Sequence, residues 1–131
     1  MLDRTATLKI IDDAYDARRR GDKGALATYW ASDAKYRLAG DGSLLAGMPV
    51  KPTNAVQATN DLIDRFKFEK VERLDALVDG NTASVHWRVT MVPPSGKSVT
   101  TELYDLWKFN PDGKIASLLQ FGDTALLKSL I

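Results

Sequence analysis

One carboxylate, Asp105, lies in a stretch whose residue pattern predicts that it is held away from water. Polar and apolar residues alternate over 99–109, as expected for a β-strand with one buried face. The predicted buried face consists of Val99, Thr101, Leu103, Asp105, Trp107 and Phe109, and Asp105 is its only charged residue. Burial disfavours the ionised form of a carboxyl group, so its pKa rises and the neutral acid can donate a hydrogen bond to an oxyanion. The alternative is a structural ion pair of Asp105 with Arg88 or Lys108.

General acid–base catalysis needs a second positioned group, for which the sequence offers Tyr15, His86 and Asp123. His86 is the only histidine, but strand alternation places it opposite Trp87 and its apolar neighbours. Asp123 is explained equally well as the N-cap of a final helix. Gln120 can orient a carbonyl group but cannot act as a base. The candidate catalytic residues are therefore Asp105, Tyr15, His86 and Asp123.

Large side chains are available to form the wall of a cavity beside Asp105. Aromatic residues at such spacings are also typical of an ordinary core, so we predict only that some of them narrow a pocket. The candidate ligand-binding residues are Trp30, Tyr36, Leu38, Phe66, Leu103, Trp107, Gln120 and Phe121.

Composition excludes several classes of function. The chain has no cysteine, a single histidine and a net charge of +1, which argues against thiol chemistry, metal binding and nucleic-acid binding. It also lacks the G-x-S-x-G, H-E-x-x-H, P-loop and G-x-G-x-x-G motifs. We therefore predict no cofactor and no metal, and a small apolar molecule as the ligand.

The length of 131 residues predicts a single domain over 1–131. Charged residues near the N-terminus and the lack of a long apolar run predict a cytoplasmic protein that makes no membrane contact.

Helical spacing of apolar residues over 5–20 places Leu8, Ile11, Ala14 and Tyr15 on one face. The arginines at 18–20 then fall in the last turn before Gly21, which favours a helix end over the alternative of an anion site. Asp22 can cap a second helix that carries Leu26, Tyr29 and Trp30, and Asn54 can cap a third.

A short strand is predicted at 35–38, and longer strands at 68–78, 82–92, 97–109 and 114–121, separated by short turns. Asp123 can cap a last helix. This order predicts an α+β fold in which a curved antiparallel sheet wraps around the N-terminal helices as a cone with an open mouth. Pockets form in such places.

Three stretches resemble a known family. Gly21-Asp22 with residues 26–34, LATYWASDA, resembles the "GD…LFADDA" signature of ketosteroid isomerase. Residues 105–115, DLWKFNPDGKI, resemble the late hairpin of that enzyme and of SnoaL-like polyketide cyclases, and residues 123–127, DTALL, resemble the tail of SnoaL-like domains. The resemblance implies the nuclear-transport-factor-2-like superfamily. It also implies a homodimer formed through the outer face of the sheet, where we place Tyr104 and Leu106.

The ketosteroid isomerase site matches this sequence only in part. That enzyme uses a tyrosine and a protonated aspartate as oxyanion donors, and a second aspartate as the base. Asp105 matches the protonated aspartate, but Leu38 occupies the base position, and Ala14 occupies the tyrosine position with Tyr15 one step away. Standard steroid isomerisation is therefore not predicted. Two functions stay open: an isomerase, cyclase or lyase acting on an apolar carbonyl compound, and a non-catalytic ligand-binding or accessory domain.

Overall fold

The computed structural model describes residues 2–131 of the chain. In chain order its elements are α1 (Arg4–Arg20), α2 (Lys23–Ala27), β1 (Trp30–Leu38), β2 (Thr53–Asn54), α3 (Ala55–Arg65), β3 (Lys67–Asp79), β4 (Thr82–Val92), β5 (Val99–Phe109), β6 (Ile115–Phe121) and α4 (Thr124–Leu130). This confirms the predicted α+β class, with a curved sheet and N-terminal helices.

The helices begin at side chains that accept hydrogen bonds from otherwise free backbone amides. Asp22, Asn54 and Asp123 cap α2, α3 and α4 as predicted, with oxygen-to-nitrogen distances of 2.9, 3.0 and 3.0 Å. Helix α1 ends at Gly21, whose φ of 68° lies in the left-handed region that glycine adopts at little cost.

A single six-stranded sheet follows the order β2-β1-β6-β5-β4-β3. Strands β3 to β6 pair antiparallel with their neighbours in sequence, which confirms the predicted meander. Strand β1, however, pairs parallel with β6. It also starts at Trp30, and Tyr29 lies in the turn before it, so the prediction that Tyr29 and Trp30 belong to the second helix is wrong. Helix α2 ends at Ala27, and a backbone hydrogen bond from Ile115 to Tyr29 draws the chain into the sheet at this point.

Two irregularities bend the sheet where it meets α1. The register between β3 and β4 shifts between Phe68 and Lys70, and again between Arg73 and Asp75. Such bulges increase local twist and bending. Strands β4 and β5 bury alternate residues, and the rings of Trp87 on β4 and Tyr15 on α1 stack with centroids 3.8 Å apart. The inner face of the sheet therefore packs directly on α1.

The outer face of β4, β5 and β6 carries polar and aromatic side chains. His86 of β4 lies opposite Tyr104 of β5 in the register, and Tyr104 lies opposite Phe121 of β6. Tyr104 is 45% exposed and Phe121 is 49% exposed.

No helix among residues 2–131 combines the length and apolar character that crossing a bilayer requires.

Candidate functional site

Asp105 occupies the middle of β5 and has no solvent exposure. Its register partners are Val85 on β4 and Gln120 on β6. Among residues 2–131, no basic side chain forms a salt bridge with it, since Arg88 pairs with Glu72 at 3.3 Å on the exposed face and Lys108 is also exposed. Asp105 therefore lies on the buried face as predicted, without the structural ion pair considered as the alternative.

Three neutral side chains donate hydrogen bonds to the Asp105 carboxyl group. The Tyr15 hydroxyl donates to Oδ2 at 2.5 Å, and the indole N–H of Trp87 donates to the same oxygen at 3.0 Å. The side-chain amide of Gln120 donates to Oδ1 at 3.0 Å. These bonds partly replace the hydration that burial removes, without supplying a positive charge.

Burial raises the pKa of Asp105 to about 7, although the hydrogen bonds from Tyr15, Gln120 and Trp87 act in the opposite direction. Burial also raises the pKa of Tyr15 well above its ordinary value, and the adjacent Asp105 charge adds to this effect. Tyr15 therefore keeps its proton, while both forms of Asp105 are accessible near neutral pH. A carboxyl group with this property can exchange protons in either direction.

Gln120 joins Asp105 to a second tyrosine. The Tyr36 hydroxyl donates to Oε1 of Gln120 at 2.6 Å, and Nε2 of Gln120 lies 3.0 Å from the Tyr15 hydroxyl oxygen. Burial raises the pKa of Tyr36, so this hydroxyl also stays protonated. The parallel pairing of β1 with β6 brings Tyr36 beside Gln120, and the antiparallel pairing of β5 with β6 brings Asp105 there. The result is one continuous hydrogen-bonded network.

This network borders a cavity of about 70 Å³ between the helices and the inner face of the sheet. Tyr15, Tyr36 and Gln120 line the cavity, whereas Asp105 does not. Asp105 therefore acts on the cavity through Tyr15 and Gln120, and these are the groups that a bound molecule can touch. The other lining residues are Ala14, Arg18, Leu26, Trp30, Leu38, Met48, Thr59, Leu62, Phe66, Phe68, Met91, Leu103, Trp107, Leu118 and Leu127.

The structure brings most of the sequence-predicted residues to this cavity. They are Tyr15, Trp30, Tyr36, Leu38, Phe66, Leu103, Trp107 and Gln120. It does not bring His86, Asp123 or Phe121 there. His86 contacts Glu102 at 2.5 Å on the outer face, Asp123 caps α4, and Phe121 is exposed. Strand alternation and the capping pattern explain all three positions.

Sequence reasoning missed Arg18 as a cavity residue. Arg19 and Arg20 bond to Asp16 at the exposed end of α1, as expected for a helix terminus, but Arg18 is only 9% exposed and lines the cavity. The signal was available, because Arg18 follows Ile11 by two helical turns and so shares its buried face. The run of three arginines obscured this spacing.

Metal chemistry has no cluster of ligands to support it in the part of the chain that the structure describes. Over residues 2–131, no three histidine or carboxylate side chains come together as a metal site would require. The polar groups at the cavity are two tyrosines, an amide, an arginine, a threonine and the indole N–H groups of two tryptophans. They can bind and orient oxygen atoms and, through Asp105, exchange a proton.

The family model of the SnoaL-like domain matches residues 11–118, which cover the C-terminal part of α1 and most of the sheet. The chain therefore belongs to the SnoaL-like domain family. A comparison with curated proteins finds no match.

Solved structures share the fold over almost the whole chain. An NTF2-like protein of unknown function from Burkholderia pseudomallei superposes with a TM-score of 0.78 at 17% identity, over 96% of this chain and 97% of that one. A putative SnoaL-like polyketide cyclase from Jannaschia sp. CCS1 gives 0.75 at 17% identity, over 100% and 97%. The epoxide hydrolase/cyclase-like enzyme SalBIII, of pyran ring formation in polyether salinomycin, gives 0.74 at 17% identity, over 95% and 96%. At these identities the likeness establishes the fold, while function depends on the site itself.

Proposed function

We propose that this protein binds a small, largely apolar carbonyl compound in the cavity and moves a proton on it, as a cofactor-independent isomerase, cyclase or lyase. One observation carries the proposal: a fully buried carboxyl group with no cationic partner among residues 2–131 is hydrogen-bonded to two residues that line the cavity. Such an arrangement keeps a proton donor and acceptor ready near neutral pH.

In the proposed step, Tyr15 is the catalytic residue that touches the substrate. An acidic substrate proton passes to the Tyr15 oxygen while the Tyr15 proton passes to Oδ2 of Asp105, 2.5 Å away. The neutral acid then returns a proton through Tyr15 to another atom of the substrate, which balances an isomerisation. Gln120, which Tyr36 holds in place, uses both amide hydrogens on Asp105 and Tyr15 and so fixes the geometry of this proton relay. The unpaired indole N–H of Trp30 at the cavity is then the donor available to the carbonyl oxygen on which negative charge develops.

Hydrogen–deuterium exchange on simple ketones tests this proposal without knowledge of the natural substrate. We expect the wild-type protein to speed exchange of the α-protons of acetone and cyclopentanone in D₂O, followed by NMR. Asp105→Asn removes the proton acceptor but keeps the side-chain size, so exchange should fall by about 100-fold or more. Asp33→Asn, which changes an exposed strand aspartate, is the matched control and should leave exchange unchanged. Full exchange activity in Asp105→Asn would refute the assigned role.

A non-catalytic ligand-binding domain is the second candidate, and Leu38 favours it. Leu38 lines the cavity at the position of the isomerase base, and no carboxylate is among the lining residues. A leucine cannot take a proton, so direct abstraction as in ketosteroid isomerase has no base here. If small ketones bind to the wild-type protein without any acceleration of exchange, this second function is the correct one.

We also propose that the protein is a homodimer formed through the outer face of the sheet. Tyr104 and Phe121 are paired in the register, and both expose large aromatic surfaces there. Association would bury those rings, which favours a second copy of the same face. Sedimentation should give twice the chain mass, and Tyr104→Lys should shift the protein toward monomer. A wild-type monomer at high concentration would exclude this dimer.

A further inference from the structure

The cavity wall contains a buried cation. Arg18 on α1 is 9% exposed, and its guanidinium carbon lies 4.0 Å above the centre of the Phe68 ring. Burial lowers the pKa of Arg18 to about 10, which still leaves it charged at neutral pH. Within residues 2–131 it forms no salt bridge with a carboxylate. A charge this deeply buried needs compensating partners.

Only one end of the guanidinium group is occupied by the protein. Nη2 donates to the backbone oxygens of Phe66 at 2.6 Å and Leu62 at 3.0 Å, at the C-terminal end of α3. Helix carbonyls at that end carry partial negative charge and so stabilise the cation in part. Nη1 is buried and donates no hydrogen bond to the described chain. The hydrogen bonds to α3 therefore satisfy Nη2, whereas Nη1 has no acceptor within the described chain.

The other unpaired buried groups have the same chemical character. Over residues 2–131, the buried side-chain nitrogen and oxygen atoms without a hydrogen-bond partner are Nη1 of Arg18 and the indole nitrogens of Trp30 and Trp107. All three are N–H donors on side chains that line the cavity, although the Trp107 indole also lies close enough to Asp105 to help lower the pKa of that carboxyl group. An unsatisfied buried donor is costly, so a ligand that supplies acceptors gains from each one it reaches. The excess of donors and the positive charge both favour an anion.

We infer that Arg18 binds the carboxylate of the ligand through Nη1, so the ligand class is a small organic acid with an apolar body. This inference rests on one part of the proposed function, namely that the cavity binds a small molecule. The apolar lining holds the body, and the guanidinium group supplies a charge-assisted hydrogen bond to one carboxylate oxygen. For the proposed reaction, the substrate would then be a keto acid, with its ketone directed to Tyr15.

Matched acid and amide probes test this inference. Butanoate and butanamide have nearly the same shape, and only the first is charged at pH 7. We expect the wild-type protein to bind butanoate about tenfold or more tightly than butanamide, measured by NMR titration at constant ionic strength. Arg18→Met should abolish this preference by weakening butanoate alone. Arg18→Lys keeps the charge and should retain part of the preference, while the exposed Arg19→Met is the control and should match wild type.

The wild-type comparison does not depend on whether the Arg18 variants fold. If butanoate and butanamide bind the wild-type cavity equally, the inference about Arg18 is wrong and the cavity still binds small molecules. If neither probe binds, the inference about Arg18 is wrong, and the ketone-exchange assay decides the proposed function separately. A preference for butanoate that survives unchanged in a folded Arg18→Met protein would also overturn the role of Arg18.

Discussion

At the scale of single residues, Asp105 determines what the cavity can do chemically. Three neutral donors hold its carboxyl group, and none of them compensates its charge fully. An arginine in their place would keep the group ionised throughout the neutral range. Arg18, the buried cation that lines the same cavity, makes no salt bridge to it among residues 2–131, and Asp105 itself lies behind Tyr15 and Gln120.

The raised pKa of Asp105 predicts that stability falls as the pH rises from about 4 to about 7. In this range the folded protein holds a proton on Asp105 that the unfolded chain, with an ordinary aspartate pKa near ~3.9, has already lost. Ionisation inside the fold then opposes folding by up to roughly 4 kcal/mol. Urea unfolding of the wild-type protein should therefore show lower stability at pH 8 than at pH 5.

The Asp105→Asn variant isolates this effect, since its side chain cannot ionise. We expect the loss of stability between pH 5 and pH 8 to be several-fold smaller in this variant. Asp33→Asn, at an exposed position, should keep the wild-type difference. Equal pH dependence in wild type and Asp105→Asn would mean that Asp105 has an ordinary pKa.

At the scale of elements, local patterns predicted most of the fold. The meander and the caps at Asp22, Asn54 and Asp123 follow from alternation and from local hydrogen bonding, which sequence displays directly. Strand β1 was predicted too short, because residues 30–34, WASDA, have no clear alternation. Residues 30–34 are extended because β1 pairs with β6, and not because of their own strand propensity. These two strands are far apart in the sequence, so no short segment of sequence indicates that they pair.

The candidate site was predictable to a similar extent. Asp105, Tyr15 and Gln120 were identified because their types stand out on faces that periodicity defines. Their mutual hydrogen bonds depend on the register of β5 and β6 and on the packing of α1 against β4, which no short window of sequence contains. Arg18 was assigned to the helix terminus because its neighbours are arginines that do serve there.

Helix α4 provides a test that separates capping from catalysis at Asp123. Asp123→Ala should reduce the free energy of unfolding by about 1 kcal/mol, since the amide of Leu126 loses its acceptor. Asp123→Asn keeps the cap and should retain both stability and ketone exchange. Urea unfolding and the exchange assay together check this expectation. Loss of exchange in a stable Asp123→Asn protein would instead make Asp123 a catalytic group.

At the scale of the whole molecule, the sheet and helices enclose a cavity that admits only small ligands in this conformation. Its volume is about 70 Å³, roughly half that of an engineered cavity of about 150 Å³ that holds benzene. The lining is mostly apolar, with polar groups only at a few points. A pocket of this kind favours a short apolar body with few oxygen atoms, in agreement with the proposed ligand class.

The titration of the Asp105 carboxyl group, followed by its side-chain ¹³C shift, tests the central claim most directly. The burial and neutral donors of Asp105 predict a midpoint at about 7. Tyr15→Phe should raise this midpoint, because the variant lacks the hydrogen bond that stabilises the ionised form of Asp105 in the wild-type protein. A midpoint near ~4, as for an exposed aspartate, would contradict the account.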